Sequence, residues 1–123
     1  NLLGKRIICT SSSFTCCVSV CSFTMNSGFI DLSSRILNFG TTVSFYMTFY
    51  PTSAMQPYTS YLVGFISSGC RPSGIRIFNI DSIMGRSWEI TIDPYGYVYW
   101  KMTRGEALPE YYSESTGTLT YNL

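Results

Sequence analysis

The stretch from residue 88 to residue 100, WEITIDPYGYVYW, limits the fold more than any other part of this 123-residue chain. Trp88, Ile90 and Ile92 alternate with Glu89 and Thr91, the period of a strand with one buried face. Asp93-Pro94-Tyr95-Gly96 is turn chemistry: Asp opens the turn, Pro presets φ, and Gly accepts a positive φ. A two-residue loop would set Glu89 opposite Trp100 and mix the faces. A three-residue loop with Gly96 as the bulge pairs Asp93 with Tyr97 instead. Ile92 then faces Val98, Ile90 faces Trp100, and Trp88 faces Met102, while Thr91 meets Tyr99 and Glu89 meets Lys101. Each pair is alike in polarity or opposite in charge, so this is the expected register. It sends Trp88 and Trp100 into a core and puts Tyr97 and Tyr99 on the outer face.

The rest of the chain reads the same way. No segment of useful length has a helical period. Further short strands are expected at 6–9, 14–23, 29–32, 42–50, 61–66, 75–80 and 117–121, beside 87–93 and 97–102 of the hairpin. The span 42–50 alternates best, with Val43, Phe45, Met47 and Phe49 against Ser44, Tyr46, Thr48 and Tyr50. Turn signals separate the strands, and the longest loop is expected at 103–116. Regular short strands imply an all-β fold, an antiparallel β-sandwich or jelly-roll-like barrel, in one domain over 1–123. The chain opens on Asn1 rather than Met. Residues 1–25 are therefore expected to join an upstream shaft or domain of a longer protein.

Charge is scarce: 12% of residues, against about 25% in ordinary soluble domains. Residues 36–70 carry none. Prolines, glycines and many hydroxyls interrupt that span, so it is no membrane segment. A net charge of +1 and the absence of basic runs argue against nucleic acid. With 16% aromatics, such a surface is expected to be covered by partner subunits; the alternative is a Ser/Thr/Tyr-rich β-surface that stays solvated.

The five cysteines are Cys9, Cys16, Cys17, Cys21 and Cys70. Cys16 and Cys17 would point to opposite faces of a strand, and Cys17 and Cys21 would lie about 13 Å apart along one. Free buried thiols are expected, which favours a reducing cytoplasm. With no histidine and no C-x-x-C pair, neither zinc nor any other cofactor is expected.

The lack of histidine also removes the usual general base and the His-dependent triads. Arg104, Glu106, Tyr111 and Tyr112 share the loop at 103–116 and are the candidate ligand-binding residues. Read plainly, they make a solvated polar loop; read functionally, tyrosine rings stack on sugars while Arg and Glu fix hydroxyls. Glu106 and Glu110 could also form a carboxylate pair of the glycosidase kind. Binding is expected here rather than catalysis.

The segment YLVGFISSGCRPSGIRIFNI, followed by GRSWEITIDPYGYVYW and ending in GTLTYNL, resembles the C-terminal head of bacteriophage tail fibres and receptor-binding proteins. The likeness lies in a strand leading to the Gly69-Cys70-Arg71-Pro72 turn, the hairpin after Ile90 and Ile92, and a short final strand. It covers about residues 28–123; Ser67-Ser68 and Cys70 depart from the usual pattern. The resemblance implies a homotrimeric β-domain at a virion fibre tip, folded in the host cytoplasm, that binds a host surface molecule, often a saccharide. Adenovirus fibre knobs share that architecture. Tyr97, Tyr99 and Arg71 are the expected subunit contacts, with Arg71 also suited to tying loop carbonyls. Two other readings remain: a capsid, baseplate or decoration protein that binds no receptor, and a stand-alone lectin.

Overall fold

The computed structural model describes residues 19–123. The fold is all-β, built from ten strands: β1 (Ser19–Cys21), β2 (Phe23–Met25), β3 (Phe29–Asp31), β4 (Arg35–Asn38), β5 (Thr42–Pro51), β6 (Ser60–Ile66), β7 (Arg76–Asp81), β8 (Ser87–Ile92), β9 (Tyr97–Arg104) and β10 (Glu114–Asn122). One sheet has the order β1-β4-β5-β10, with β3 also paired to β5; the other has the order β2-β6-β9-β8-β7. Every pairing between these strands is antiparallel. No helix among the described residues is long and apolar enough to cross a membrane.

The inner faces of the two sheets make one core. From the first sheet come Ile36, Val43, Phe45, Met47, Phe49, Leu119 and Tyr121; from the second come Val63, Ile66, Trp88, Ile90, Ile92, Val98, Trp100 and Met102. Aromatic rings cross between the layers. Phe49 meets Trp100 edge-on at 4.8 Å, and Phe23 tilts against Phe45 at 5.1 Å. Burying each large apolar side chain contributes about 1.5–3 kcal/mol, so β5, with four on its inner face, is the main pillar of its sheet.

The hairpin has the expected register. Trp88 pairs with Met102, Glu89 with Lys101, Ile90 with Trp100, Thr91 with Tyr99 and Ile92 with Val98. Asp93 N–H donates to the Tyr97 carbonyl at 3.1 Å, and Gly96 N–H donates to the Asp93 carbonyl at 2.9 Å. The Asp93 carboxylate accepts from the Tyr95 and Tyr97 amides, both at 3.0 Å. Gly96 sits at φ +89°, and a Cβ there would collide with the Ile66 carbonyl and the Arg71 guanidinium. Gly96→Ala should therefore cost about 1–3 kcal/mol from the left-handed backbone, with the collision in addition. An unchanged urea midpoint would refute this account of the turn.

Three sequence expectations need correction. Where the described residues overlap the strand expected at 14–23, the strand is interrupted at Ser22: β1 before it and β2, which runs on to Met25, pair into different sheets. Ser22 N–H donates to Ser67 Oγ at 3.0 Å and the Ser22 carbonyl accepts from Ser67 N–H at 2.9 Å, which fixes this corner. β4 was not expected; it is a short strand beside β5 with one buried residue, Ile36. The final strand starts at Glu114 rather than 117, so the preceding loop is shorter than 103–116. The strand expected at 6–9 and the first half of that at 14–23 lie outside the described residues.

The expectation of free thiols also fails for one pair. Cys21 and Cys70 form a disulfide with 6.2 Å between Cα atoms. Cys21 ends β1, and Cys70 closes a single 3-10 turn, Ser68–Cys70, after β6. Strand spacing within 14–23 could not reveal a partner that arrives 49 residues later. Cysteine usage therefore no longer favours a reducing compartment, since such bonds persist in oxidising surroundings. Cys9, Cys16 and Cys17 lie outside the described residues.

Candidate functional site

The second sheet presents an apolar and aromatic patch at one end of its outer face, beside a polar end that carries Asn79, Glu89 and Lys101. Leu62, Tyr99, Thr91 and Ile77 are register partners in a row across β6, β9, β8 and β7. Phe65 and Tyr97 pair beside that row, with ring centroids 5.4 Å apart. Tyr97 also packs against Tyr95 and Tyr99, both at 6.4 Å. Ile77 is 56% exposed and Tyr97 39%. Lys101 and Glu89 oppose each other on the same face, so their charges offset. Both expected contact tyrosines thus lie on one aromatic surface. Arg71 donates from Nε to the Ile66 carbonyl at 2.8 Å, which ties the end of β6 beside the hairpin turn.

The outer face of the first sheet is different in character. Ser44, Tyr46, Thr48 and Tyr50 alternate with the core residues of β5. Arg35 lies over the Tyr46 ring at 5.7 Å from its centroid. The Tyr46 hydroxyl is held below its ordinary pKa by hydrogen bonding with Ser115 first and then Thr48, which outweigh desolvation, with Arg35 adding the least. Tyr50 meets Tyr111 edge-on at 5.7 Å. In the sequence the Tyr46–Tyr50 ladder shows only as strand alternation; Arg35 carries no signal there because β4 itself leaves none.

The four loop candidates do not share one contact network. Tyr111 belongs with Tyr50, and its N–H donates to the Pro51 carbonyl at 2.8 Å. Tyr112 is exposed, its N–H donating to the Pro109 carbonyl at 3.2 Å. Arg104 belongs to the end of the other sheet, where Nε donates to Ser87 Oγ at 3.1 Å and Nη2 lies 3.8 Å from Asp81. Glu106 is an exposed residue whose backbone carbonyl accepts from Arg86 Nε at 2.9 Å.

Sequence reasoning misses Arg86, because it follows the Met84-Gly85 turn and resembles any other solvated cation. It is only 9% exposed. Its guanidinium donates to the Glu106 and Ala107 carbonyls and lies 3.9 Å from the carboxylate of Glu114, itself 6% exposed. The loop after β9 is thus fastened at one end by Arg86 and in its middle by Leu108, which exchanges two 2.9 Å backbone hydrogen bonds with Met55. Burial pushes the Glu114 carboxyl above its usual 4.5, with Trp88, Arg86 and Ser82 pulling it back. The Trp88 indole N–H faces this carboxylate but does not reach good hydrogen-bond geometry.

A carboxyl whose pKa is raised on folding binds its proton more tightly in the folded state. Its contribution to stability is greatest below the unfolded value of 4.5 and is lost as pH rises through the folded value. Wild type should therefore gain stability relative to Glu114→Gln as the pH falls from 7 to 4. A difference in melting temperature that is flat over this range would contradict the burial assigned to Glu114.

Among the described residues no group of three or more His, Cys, Asp or Glu side chains could hold a metal ion. No family model matches the sequence, and no curated protein matches it.

Proposed function

We propose that this domain is the receptor-binding head of a viral fibre, of the bacteriophage tail-fibre type, and that it works as a homotrimer. The observation that carries the reading is the outer face of the second sheet, where Leu62, Phe65, Tyr97, Tyr99 and Ile77 gather on a surface whose facing charges offset. Faces of this kind suit contact with a copy of the same chain better than contact with water. The loops and the tyrosine-bearing face of the first sheet are then free to meet a host surface molecule, a saccharide among the candidates, because Tyr50 and Tyr111 offer ring faces and Arg35 a cation. The role is adhesion rather than catalysis. The Cys21–Cys70 bond suits a domain that works outside the cell, since virion surfaces are oxidising. In this reading, folding in the host cytoplasm precedes oxidation of that pair.

Light scattering at micromolar concentration should give a trimer mass, and Ile77→Lys with Tyr97→Lys should reduce it to that of a monomer that still melts cooperatively. A monodisperse wild-type monomer sinks the reading. Labelled trimer should also attach to host cells, and Tyr111→Ala with Tyr112→Ala should weaken attachment without loss of the fold. A stable trimer that attaches to no cell would instead favour a capsid, baseplate or decoration protein.

A further inference from the structure

Strands β7 and β10 flank the open edge between the two sheets. They are drawn together at one end, where Arg76 Nη2 donates to the Asn122 carbonyl at 3.0 Å and the Phe78 and Tyr121 rings lie 6.3 Å apart. Toward the other end lies a cleft of about 410 Å³, bounded by residues 80–83 and 113–117. That volume falls within the range of about 300–1,000 Å³ typical of small-molecule sites. The register break in β10 between Ser115 and Thr118 shapes its floor.

The polar groups of the cleft differ in what they have left to offer. Thr116 Oγ1 accepts from Met47 N–H at 3.0 Å and donates to the Gly117 carbonyl. Ser115 Oγ accepts from Gly117 N–H and from Thr48 Oγ1, both at 3.2 Å. Ser82 Oγ accepts from Arg86 N–H at 3.3 Å. The hydroxyls are therefore largely committed to holding the bulge and the turn. Glu114 is held more loosely: it is more than nine-tenths buried and lines the cleft, and the Arg86 guanidinium at 3.9 Å, the Trp88 indole and the Ser82 hydroxyl approach its carboxylate without making a hydrogen bond of ordinary geometry. Its neighbour Arg86 directs Nε and Nη2 at loop carbonyls and leaves only Nη1, at 3.9 Å. Asp81 adds a second carboxylate, and among the described residues no cationic side chain lines the cleft. Ile80 and the fully exposed Ile83 supply an aliphatic wall.

An ionised carboxylate only accepts hydrogen bonds, so the ligand must donate them. A positive donor also offsets the desolvation that Glu114 suffers in place. The aliphatic wall suits a short methylene stem behind that donor. We propose that this cleft binds a primary alkylammonium group, the chemistry of a lysine side chain, with Glu114 as its main acceptor and Ile83 covering its stem. Such binding needs the cleft alone and is independent of the oligomeric state and of a viral origin.

The test is a titration of the whole chain, labelled with nitrogen-15, with n-butylammonium chloride at constant ionic strength, and with n-butanol as the neutral counterpart. Saturable amide shifts confined to residues 80–83 and 113–117 are expected with the ammonium, and none with the alcohol. Glu114→Gln should weaken the affinity at least tenfold. Ile83→Ser, at a fully exposed position that cannot unfold the core, should weaken it severalfold and decides the matter if Glu114→Gln fails to fold. Absence of saturable shifts, equal shifts with n-butanol, or affinity unchanged in the folded variants would overturn the proposal.

Discussion

Trp100→Ala should remove about 3–5 kcal/mol of unfolding free energy, the largest loss expected from one side chain in this domain. Trp100 is wholly buried, packed edge-on against Phe49 at 4.8 Å and Trp88 at 5.2 Å. It is the point at which the second sheet meets the central strand of the first, so truncation opens a void that neither rigid sheet can collapse to fill. A domain of this size has about 5–15 kcal/mol in total, so the variant sits near the threshold of folding. Trp100→Phe should cost much less. The Trp100 indole N–H is buried without a partner among the described residues, and such a group carries a penalty of about 1–3 kcal/mol that phenylalanine removes. Urea denaturation of the three proteins provides the test. An alanine variant within about 1 kcal/mol of wild type would mean that the two sheets do not pack through this residue.

Removal of the Cys21–Cys70 bond should cost about 4 kcal/mol, the loop-closure entropy for a separation of 49 residues. The double variant Cys21→Ala, Cys70→Ala isolates this effect from stray thiol chemistry. The folded state has little reason to change, because β1 remains paired to β4 and the Tyr121 hydroxyl still donates to the carbonyl of residue 70. The loss should therefore appear mainly as a lower denaturation midpoint in a protein with native-like spectra. Peptide mapping without reductant should recover the fragments containing Cys21 and Cys70 as one linked species. Recovery of both as free thiols from oxidised protein would remove the bond and, with it, the link to an oxidising compartment.

The parts of the fold that could be read from the sequence are those governed by local rules. The 88–100 hairpin has a turn whose residues specify its length, and only one register keeps like with like; the observed pairs are those expected. β5 announces itself by strict alternation over ten residues. β4 does not, because a short strand with one buried residue leaves no period to detect. The start of β10 is hidden by its bulge, which places Gly117 and Thr118 consecutively on the exposed side. The disulfide, the Arg86–Glu114 pair and the cleft share a different cause. Each joins segments far apart in the chain, and their approach is set by how two sheets stack rather than by any local pattern. Among the surface candidates, Tyr97 and Tyr99 could be placed from the hairpin alone, whereas the partners of Tyr111 and Arg104 needed the full topology.

The bond at Cys21 also sets how the domain carries mechanical load. Tension entering through the chain ahead of β1 reaches Cys21 and passes across the sulfurs to Cys70, bypassing everything between them. β2, β3, β4, β5 and β6 all lie in that bypassed segment. A pull along the backbone can then peel only β1 and the chain beyond Cys70, and the central strand of the first sheet stays out of the loaded chain while the sulfurs remain joined. Under the proposed attachment role, reduction would turn a short, stiff tether into a long, extensible one.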